Sequence, residues 1–273
     1  MSGAGTAGGE TVELSAVVPF FDEEAAAPGV LDELVAALDA TGRCWEIVAV
    51  DDGSRDRTAE ILLERRRTEP RLRVLRSPVN RGQGAALWAG LHCARGELIV
   101  TLDGDGQNDP ADLPRLIGAL GDAAMVVGVR RARTDSWLRR SMSRIANAVR
   151  GRVLGDRLHD GGCALKVLRR EVVASLLPIR TLYSFLPALA VAAGYDVREI
   201  DVAHRPRRGG RSSYGLRVFL WRPLLDMLGV LWFRFRRFPR PDHEEVDDLG
   251  LGGDRGRRRD SRVDRRGGGS ASS

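Results

Sequence analysis

Leu98-Ile-Val-Thr-Leu-Asp-Gly-Asp-Gly-Gln-Asn-Asp-Pro110 is an apolar run that stops abruptly in carboxylates at Asp103, Asp105 and Asp109. Such a run reads as a strand buried on both faces, and Gly104, Gly106 and Pro110 are turn residues that end it. The acids therefore sit at a strand's carboxyl end, the edge of an open α/β sheet at which ligands bind. Asp103 and Asp105, with the Gln107 amide two residues on, form a set of hard oxygen donors suited to Mg²⁺ or Mn²⁺, ions that usually also take phosphate oxygens. Taken alone, the turn reads as well as a solvated acidic loop, so the flanking chain must decide.

Upstream, Leu14–Pro19 predicts a strand ending at Pro19. Asp22, Glu23 and Glu24 follow, then a helix from about Pro28 to Ala40 with Val30, Leu31, Leu34 and Leu38 at helical spacing. Trp45–Val50 predicts a second strand that again ends in acid, Asp51-Asp52-Gly53-Ser54. Asp56 or Ser54 is placed to cap the helix carrying Ile61 and Leu62. Leu72–Leu75 is a third strand and Gly82–Cys93 a third helix. Beyond the opening run come a helix from about Pro110 to Leu120, capped by Asp109, and a strand at Met125–Val129. Alternating strands and helices predict a parallel sheet. Three strand ends, Pro19–Glu23, Asp51–Ser54 and Asp103–Gln107, then converge on one edge. A dinucleotide-binding fold is disfavoured, because no Gly-x-Gly-x-x-Gly follows the first strand. Gly82-Gln-Gly84 comes after the third strand, where it serves close helix packing.

The 273 residues allow one large α/β domain, and a hydrophobic content of 43 % supports a core. The net charge of +6 invites a nucleic-acid or membrane reading, but Lys166 is the only lysine among 43 basic residues. Arginine throughout, with abundant Ala and Gly, reads as coding bias rather than a selected basic surface. Three cysteines, Cys44, Cys93 and Cys163, without a Cys-x-x-Cys pair or a histidine at metal spacing, fit a reducing compartment. Residues Met1–Gly9 lack the apolar core of a signal peptide. Leu216–Phe235 is broken by Arg217, Arg222, Pro223, Asp226 and Arg234, too often for a spanning helix.

Four segments, Val17-Val-Pro-Phe-Phe-Asp-Glu-Glu24, Val50-Asp-Asp-Gly-Ser-Arg-Asp-Arg-Thr58, Asn80-Arg-Gly-Gln-Gly-Ala-Ala86 and Leu102-Asp-Gly-Asp-Gly-Gln107, resemble in order and spacing the motifs of family 2 inverting glycosyltransferases of the GT-A fold. Arg139–Ser143, Asn147, Asp160–Cys163 and Arg207–Tyr214 look like the dolichyl-phosphate mannose synthase and bacterial polyprenyl-phosphate glycosyltransferase branch, extending the likeness to about residues 12–235. There are departures. Phe21-Asp22 stands where the family usually has Tyr-Asn, Ser212-Ser213 where Ser-Lys is usual, and Gly161-Gly162-Cys163 where Thr-Ser-Gly is often found.

The resemblance implies a GT-A domain over 12–214, a mostly parallel sheet with helices on both faces, that transfers a sugar from a nucleotide donor to a polyprenyl phosphate. It implies that Pro19, Phe21, Glu23 and Asp52, joined by Ser54, hold the nucleoside, and that Asp103, Asp105 and Gln107 hold Mg²⁺ or Mn²⁺ on the diphosphate. An acceptor phosphate is already ionised at neutral pH, so cations rather than a base are expected: Arg130, Arg139 and Arg207 by motif position, with Ser143 and Ser212 donating to the same oxygens. The alternatives are a family 2 enzyme acting on a soluble or polysaccharide hydroxyl, with Asp160 as the base, and a nucleotide-sugar-binding or membrane-adaptor protein without catalysis.

Membrane contact is expected from two stretches. Trp137, Leu138, Met142, Ile145, Val149 and Val153 alternate with arginines as a basic amphipathic helix, a stripe that would equally serve packing on the sheet. Residues 215–238 carry interfacial aromatics, Trp221, Trp232 and Phe233, flanked by Arg217, Arg222 and Arg234. Together these predict a peripheral protein at the cytoplasmic face. Residues 1–11 and the Arg/Gly/Asp-rich tail 239–273 are expected to be disordered. The tail's alternating charges and lack of aromatics argue against nucleic-acid binding.

Overall fold

The computed structural model describes residues 11–130, 158, 160–206 and 228–232. Residues 1–10, the amphipathic stretch from Trp137 to Val153 with Arg139 and Ser143, the motif from Arg207 to Tyr214 with Ser212, and the tail lie outside the described residues.

Seven strands form one sheet in the order β3-β2-β1-β4-β6-β5-β7. They are β1 Leu14–Phe20, β2 Trp45–Asp51, β3 Leu72–Arg76, β4 Leu98–Thr101, β5 Met125–Arg130, β6 Lys166–Arg169 and β7 Val197–Val202. Only β6 runs antiparallel to its neighbours, between β4 and β5. The central strands are apolar because both of their faces are covered. On one face lie α1 Ala27–Asp39, α2 Thr58–Thr68 and α4 Leu113–Leu120, which bury Leu31, Leu34, Leu62 and Leu116 against Ala16, Val18 and Ile47. On the other lie α3 Gln83–Cys93, the short α5 Arg170–Val173 and α6 Leu182–Ala192, which cover Val17, Val48, Ile99 and Val127. The expected layering of helices on both faces of a mostly parallel sheet is what the chain adopts.

Two boundaries differ from the sequence reading. β1 does not end at Pro19 but runs on to Phe20. The Phe20 carbonyl accepts from Asp52 N on the β2 side, while the Val17 carbonyl accepts from Leu102 N on the β4 side. Pro19 is in phase with Val17, so its nitrogen faces β4, whose last paired residue, Thr101, lies opposite Val17. No ladder donor is lost there, and the strand tolerates the proline. The helix expected from Pro110 opens instead as a 3-10 turn, Pro110–Asp112, before α4 begins at Leu113. Asp109 does cap that turn, its Oδ1 accepting from Ala111 N at 3.0 Å.

Of the two glycines expected to serve close helix packing, only Gly84, in the first turn of α3, does so; at Gly82, the N-cap, a Cβ would meet nothing and the glycine answers to a positive φ of 93°. A Cβ at Gly84 would stand 2.8 Å from the carbonyl carbon of Arg180, in the segment leading into α6. Glycine to alanine inside a helix ordinarily stabilises by up to about 1 kcal/mol. At Gly84 the sign is expected to reverse. Gly84→Ala forces backbone against backbone, and a loss of about 1–3 kcal/mol, the usual cost of overpacking, is expected from urea midpoints at unchanged slope.

Candidate functional site

The carboxyl ends of β2, β1 and β4 lie side by side, and their loops are laced together. Asp22 N donates to Ser54 Oγ at 3.1 Å, and Arg55 N returns a bond to Asp22 Oδ1 at 2.7 Å. Glu23 N donates to Thr58 Oγ1, and Glu24 N to Asp56 Oδ2. Asp22 adopts φ 53°, a left-handed conformation that Asp tolerates through its short polar side chain. Asp56, expected as a helix cap, stands one residue before the N-cap of α2, Arg57, and accepts from Thr58 N at 2.9 Å. Hydrogen bonds to Thr58, opposing the effect of its burial, hold the Asp56 carboxyl below the usual range. Ser54 is thus a lacing residue between the first two strand ends. Pro19 and Phe21 are half-buried, and Glu23 is buried.

Asp51 and Asp52 turn to different partners. Asp51 is buried, accepts from Ser54 N and pairs with Arg76 at 3.4 Å. Asp52 faces the next loop, its two oxygens accepting from Arg81 N at 2.9 Å and Gly82 N at 2.7 Å. A carboxylate has lone pairs to spare beyond two such bonds. Asp52, Arg81, Gly84, Trp88, Ile179 and Arg180 are among the residues lining a cavity of about 460 Å³.

At the end of β4, Gly104 packs so closely that a Cβ would stand 2.6 Å from the Phe20 ring and 2.9 Å from the Pro19 carbonyl oxygen. That contact presses the turn onto the end of β1. Asp103 Oδ1 accepts from Gln83 Nε2, at the start of α3, at 2.6 Å. Asp105, buried, accepts from Gln107 N at 3.0 Å, which folds the turn back on itself. Burial and then the like charge of Asp105 push the Asp103 carboxyl up to about 6, against the pull of Lys166, Arg130 and the Gln83 bond. Such mutual repulsion is what a divalent cation between two carboxylates relieves. Among the described residues no three His, Cys, Asp or Glu side chains form a metal cage by themselves. Two acids and an amide instead fit a hard cation that completes its shell with substrate phosphate oxygens and water.

Two charged groups beside this turn have other employment. Arg130 makes a bidentate pair with Asp160, Nε to Oδ2 at 2.8 Å and Nη2 to Oδ1 at 2.9 Å, both side chains largely buried. The pairing holds the guanidinium charged despite its burial. Motif position assigns Arg130 to the acceptor phosphate and the rival reading takes Asp160 as a base; the geometry joins the two, with Nε and Nη2 on Asp160 and, among the described residues, no bond from Nη1. Lys166, which the sequence singled out only as the sole lysine, is 1 % exposed and donates to the carbonyls of Cys163 and Tyr183. It pairs with Thr101 across β4 and β6, so it lies on the sheet face beneath Asp103. Burial pulls its pKa down to about 8. A compact ammonium with three donors fits between two carbonyls where a planar guanidinium would not, and that single exception to arginine usage was the available signal.

Among the described residues no helix is long and apolar enough to cross a membrane. Residues 228–232 are helical, with Val230 buried and Leu228 and Trp232 exposed to 53 % and 65 %.

The chain is 38 % identical over 253 residues to the dodecaprenyl-phosphate galacturonate synthase of Rhizobium johnstonii, covering 89 % of this chain and 73 % of that protein. It is 40 % identical over 206 residues to the undecaprenyl-phosphate 4-deoxy-4-formamido-L-arabinose transferase of Edwardsiella ictaluri, covering 74 % of this chain but only 63 % of that one. The fold is shared with glucosyl-3-phosphoglycerate synthase from Mycobacterium tuberculosis, whose crystal structure in complex with Mn²⁺, UDP-glucose and phosphoglyceric acid superposes with a TM-score of 0.57 at 23 % identity, over 82 % of this chain and 79 % of that one. The sequence profile of glycosyl transferase family 2 matches residues 15–177, more than half of the chain and all three laced strand ends, and the chain belongs to that family.

Proposed function

We propose that this glycosyltransferase moves a sugar from a nucleotide-sugar donor to a polyprenyl phosphate, with inversion at the anomeric carbon. The observation that carries the reading is the Asp103 and Asp105 pair at the end of β4, one strand from a cavity that Asp52 lines. The names of the two relatives, both transferring to a polyprenyl phosphate, support the acceptor.

In this reading Asp52, with Pro19, Phe21 and Glu23, receives the nucleoside, a carboxylate accepting from a base N–H or a ribose hydroxyl. Asp103, Asp105 and Gln107 would hold Mg²⁺ or Mn²⁺, which when bound supplies Lewis-acid stabilisation of the departing diphosphate. Gln83 fixes Asp103, and the Gln107 backbone fixes Asp105, so both carboxylates are oriented before the donor arrives. The attacking phosphate oxygen needs no base. It needs orientation, which arginines give by bidentate contact. Arg130 contributes its Nη1 edge while Asp160 holds the guanidinium. Arg139 and Arg207, with Ser143 and Ser212, are the further candidates by motif position and lie outside the described residues. The exposed Leu228 and Trp232 support contact with a bilayer surface, where the protein would sit peripherally at the cytoplasmic face.

Incubation with a panel of radiolabelled sugar nucleotides, undecaprenyl or dolichyl phosphate and Mn²⁺, followed by organic extraction, tests the proposal. Label should pass into the organic phase for one donor. Label confined to the aqueous phase for every donor rejects the lipid-phosphate reading. Transfer to a soluble or polysaccharide hydroxyl would establish the rival one.

A further inference from the structure

After β7 the chain does not leave the sheet freely. It crosses the turn that follows Asp105 and is fastened there at every step. Ala203 N donates to Asp112 Oδ2 at 2.8 Å, His204 forms an antiparallel bridge with Asn108, and Arg205 N donates to the carbonyl of Gln107 at 2.9 Å. The Arg205 side chain then spans two elements from a half-buried position. Its Nη1 reaches Glu33 of α1 at 2.7 Å and its Nη2 reaches Asp109 at 2.5 Å. Asp109 is therefore shared, one oxygen capping the 3-10 turn and the other held by the guanidinium.

We infer that Arg205 is a positioning residue for the metal-diphosphate turn, locking the Gln107 end of Asp103–Gln107 to α1 through Asp109 and Glu33. The inference rests on the metal reading of that turn and deepens it. The turn is anchored at its Asp103 end by Gln83 and by the packing of Gly104 on Phe20. At its other end the 203–205 segment adds the Arg205 N bond to Gln107 and the His204–Asn108 bridge to the packing of the 3-10 turn on α1. Without that segment the Gln107 end, whose N–H holds Asp105, loses those ties. Arginine suits the task because a planar fork can engage two carboxylates at once, which a lysine does less well.

The test is Mn²⁺ binding to the whole chain, followed by the loss of the free-ion electron paramagnetic resonance signal with Mn²⁺ as the only added ligand. Losing a group that orients metal ligands typically costs about 10–100-fold in affinity. Arg205→Ala is expected to weaken Mn²⁺ binding by about tenfold, with Arg205→Lys recovering part of it. Glu33→Gln, which keeps the Asp109 contact, should fall between wild type and Arg205→Ala. It also serves if Arg205→Ala proves too unstable to purify. Thermal melts run alongside separate positioning from general destabilisation, because a merely structural contact would lower the melting temperature of folded protein without moving its Mn²⁺ affinity. Unchanged affinity in folded Arg205→Ala or Glu33→Gln, with binding abolished in Asp105→Ala, overturns the inference and leaves the metal site standing. Equal affinity in wild type and Asp105→Ala overturns both.

Discussion

Asp105→Ala is expected to lower metal-dependent sugar transfer by about a thousandfold or more. Charge stabilisation by a bound metal contributes several kcal/mol to such a transition state, and each 1.36 kcal/mol is a factor of ten. The residue has two employments, and the experiment must separate them. Its Oδ1 accepts from Gln107 N, a bond whose loss costs about 1 kcal/mol of local stability. Asp105→Asn keeps an acceptor of the same shape in that place while removing the charge. If the carboxylate is a ligand, both variants lose transfer to a similar extent. If it only shapes the turn, Asp105→Asn retains most of the rate. Turnover by folded Asp105→Ala at the wild-type rate in the absence of added metal would sink the metal assignment outright.

Arg130→Met is expected to destabilise the fold by about 3–5 kcal/mol, because removing one partner of a buried pair leaves the other charge uncompensated. Asp160 is 5 % exposed, and both of its oxygens are engaged by the one guanidinium. The double variant Arg130→Met/Asp160→Leu should recover a substantial part of that loss, since an apolar pair of similar volume carries no desolvation cost. The series also discriminates between acceptors. A general base for a hydroxyl needs an oxygen free to take the proton. Asp160→Asn should therefore lose stability in urea along with activity. An Asp160→Asn protein with wild-type stability and no transfer would return Asp160 to the role of a base and favour a hydroxyl acceptor.

What the sequence made legible follows from how far each signal reaches. The strands from Leu14 to Val129 and their acidic ends are local patterns, and each stands within two residues of its expected place. Glycines at Gly84 and Gly104 mark close approaches that a side chain would obstruct. What stayed hidden is contact between distant segments. Nothing near Lys166 announces that a four-residue strand will insert antiparallel between β4 and β5. Arg205 meets Asp109 from 96 positions away and Glu33 from 172. Asp160 meets Arg130 across 30, so a motif arginine read as a phosphate ligand is found with one edge of its guanidinium already on a carboxylate. Ser54 likewise read as a ligand or a cap, and the backbone of Asp22 claims it.

Lys166 has one more consequence. It is the only side-chain amine in the protein, and in the folded state its Nζ is enclosed. Acylating reagents that modify surface lysines elsewhere find no such target here. The single lysine becomes reachable only when β6 parts from the segment before it and from α6. The rate of Lys166 acylation thus times the opening of the sheet beneath Asp103, much as amide exchange times the opening of a helix. A polyprenyl phosphate or nucleotide sugar that tightens this region should slow that clock, giving a ligand assay that needs no turnover.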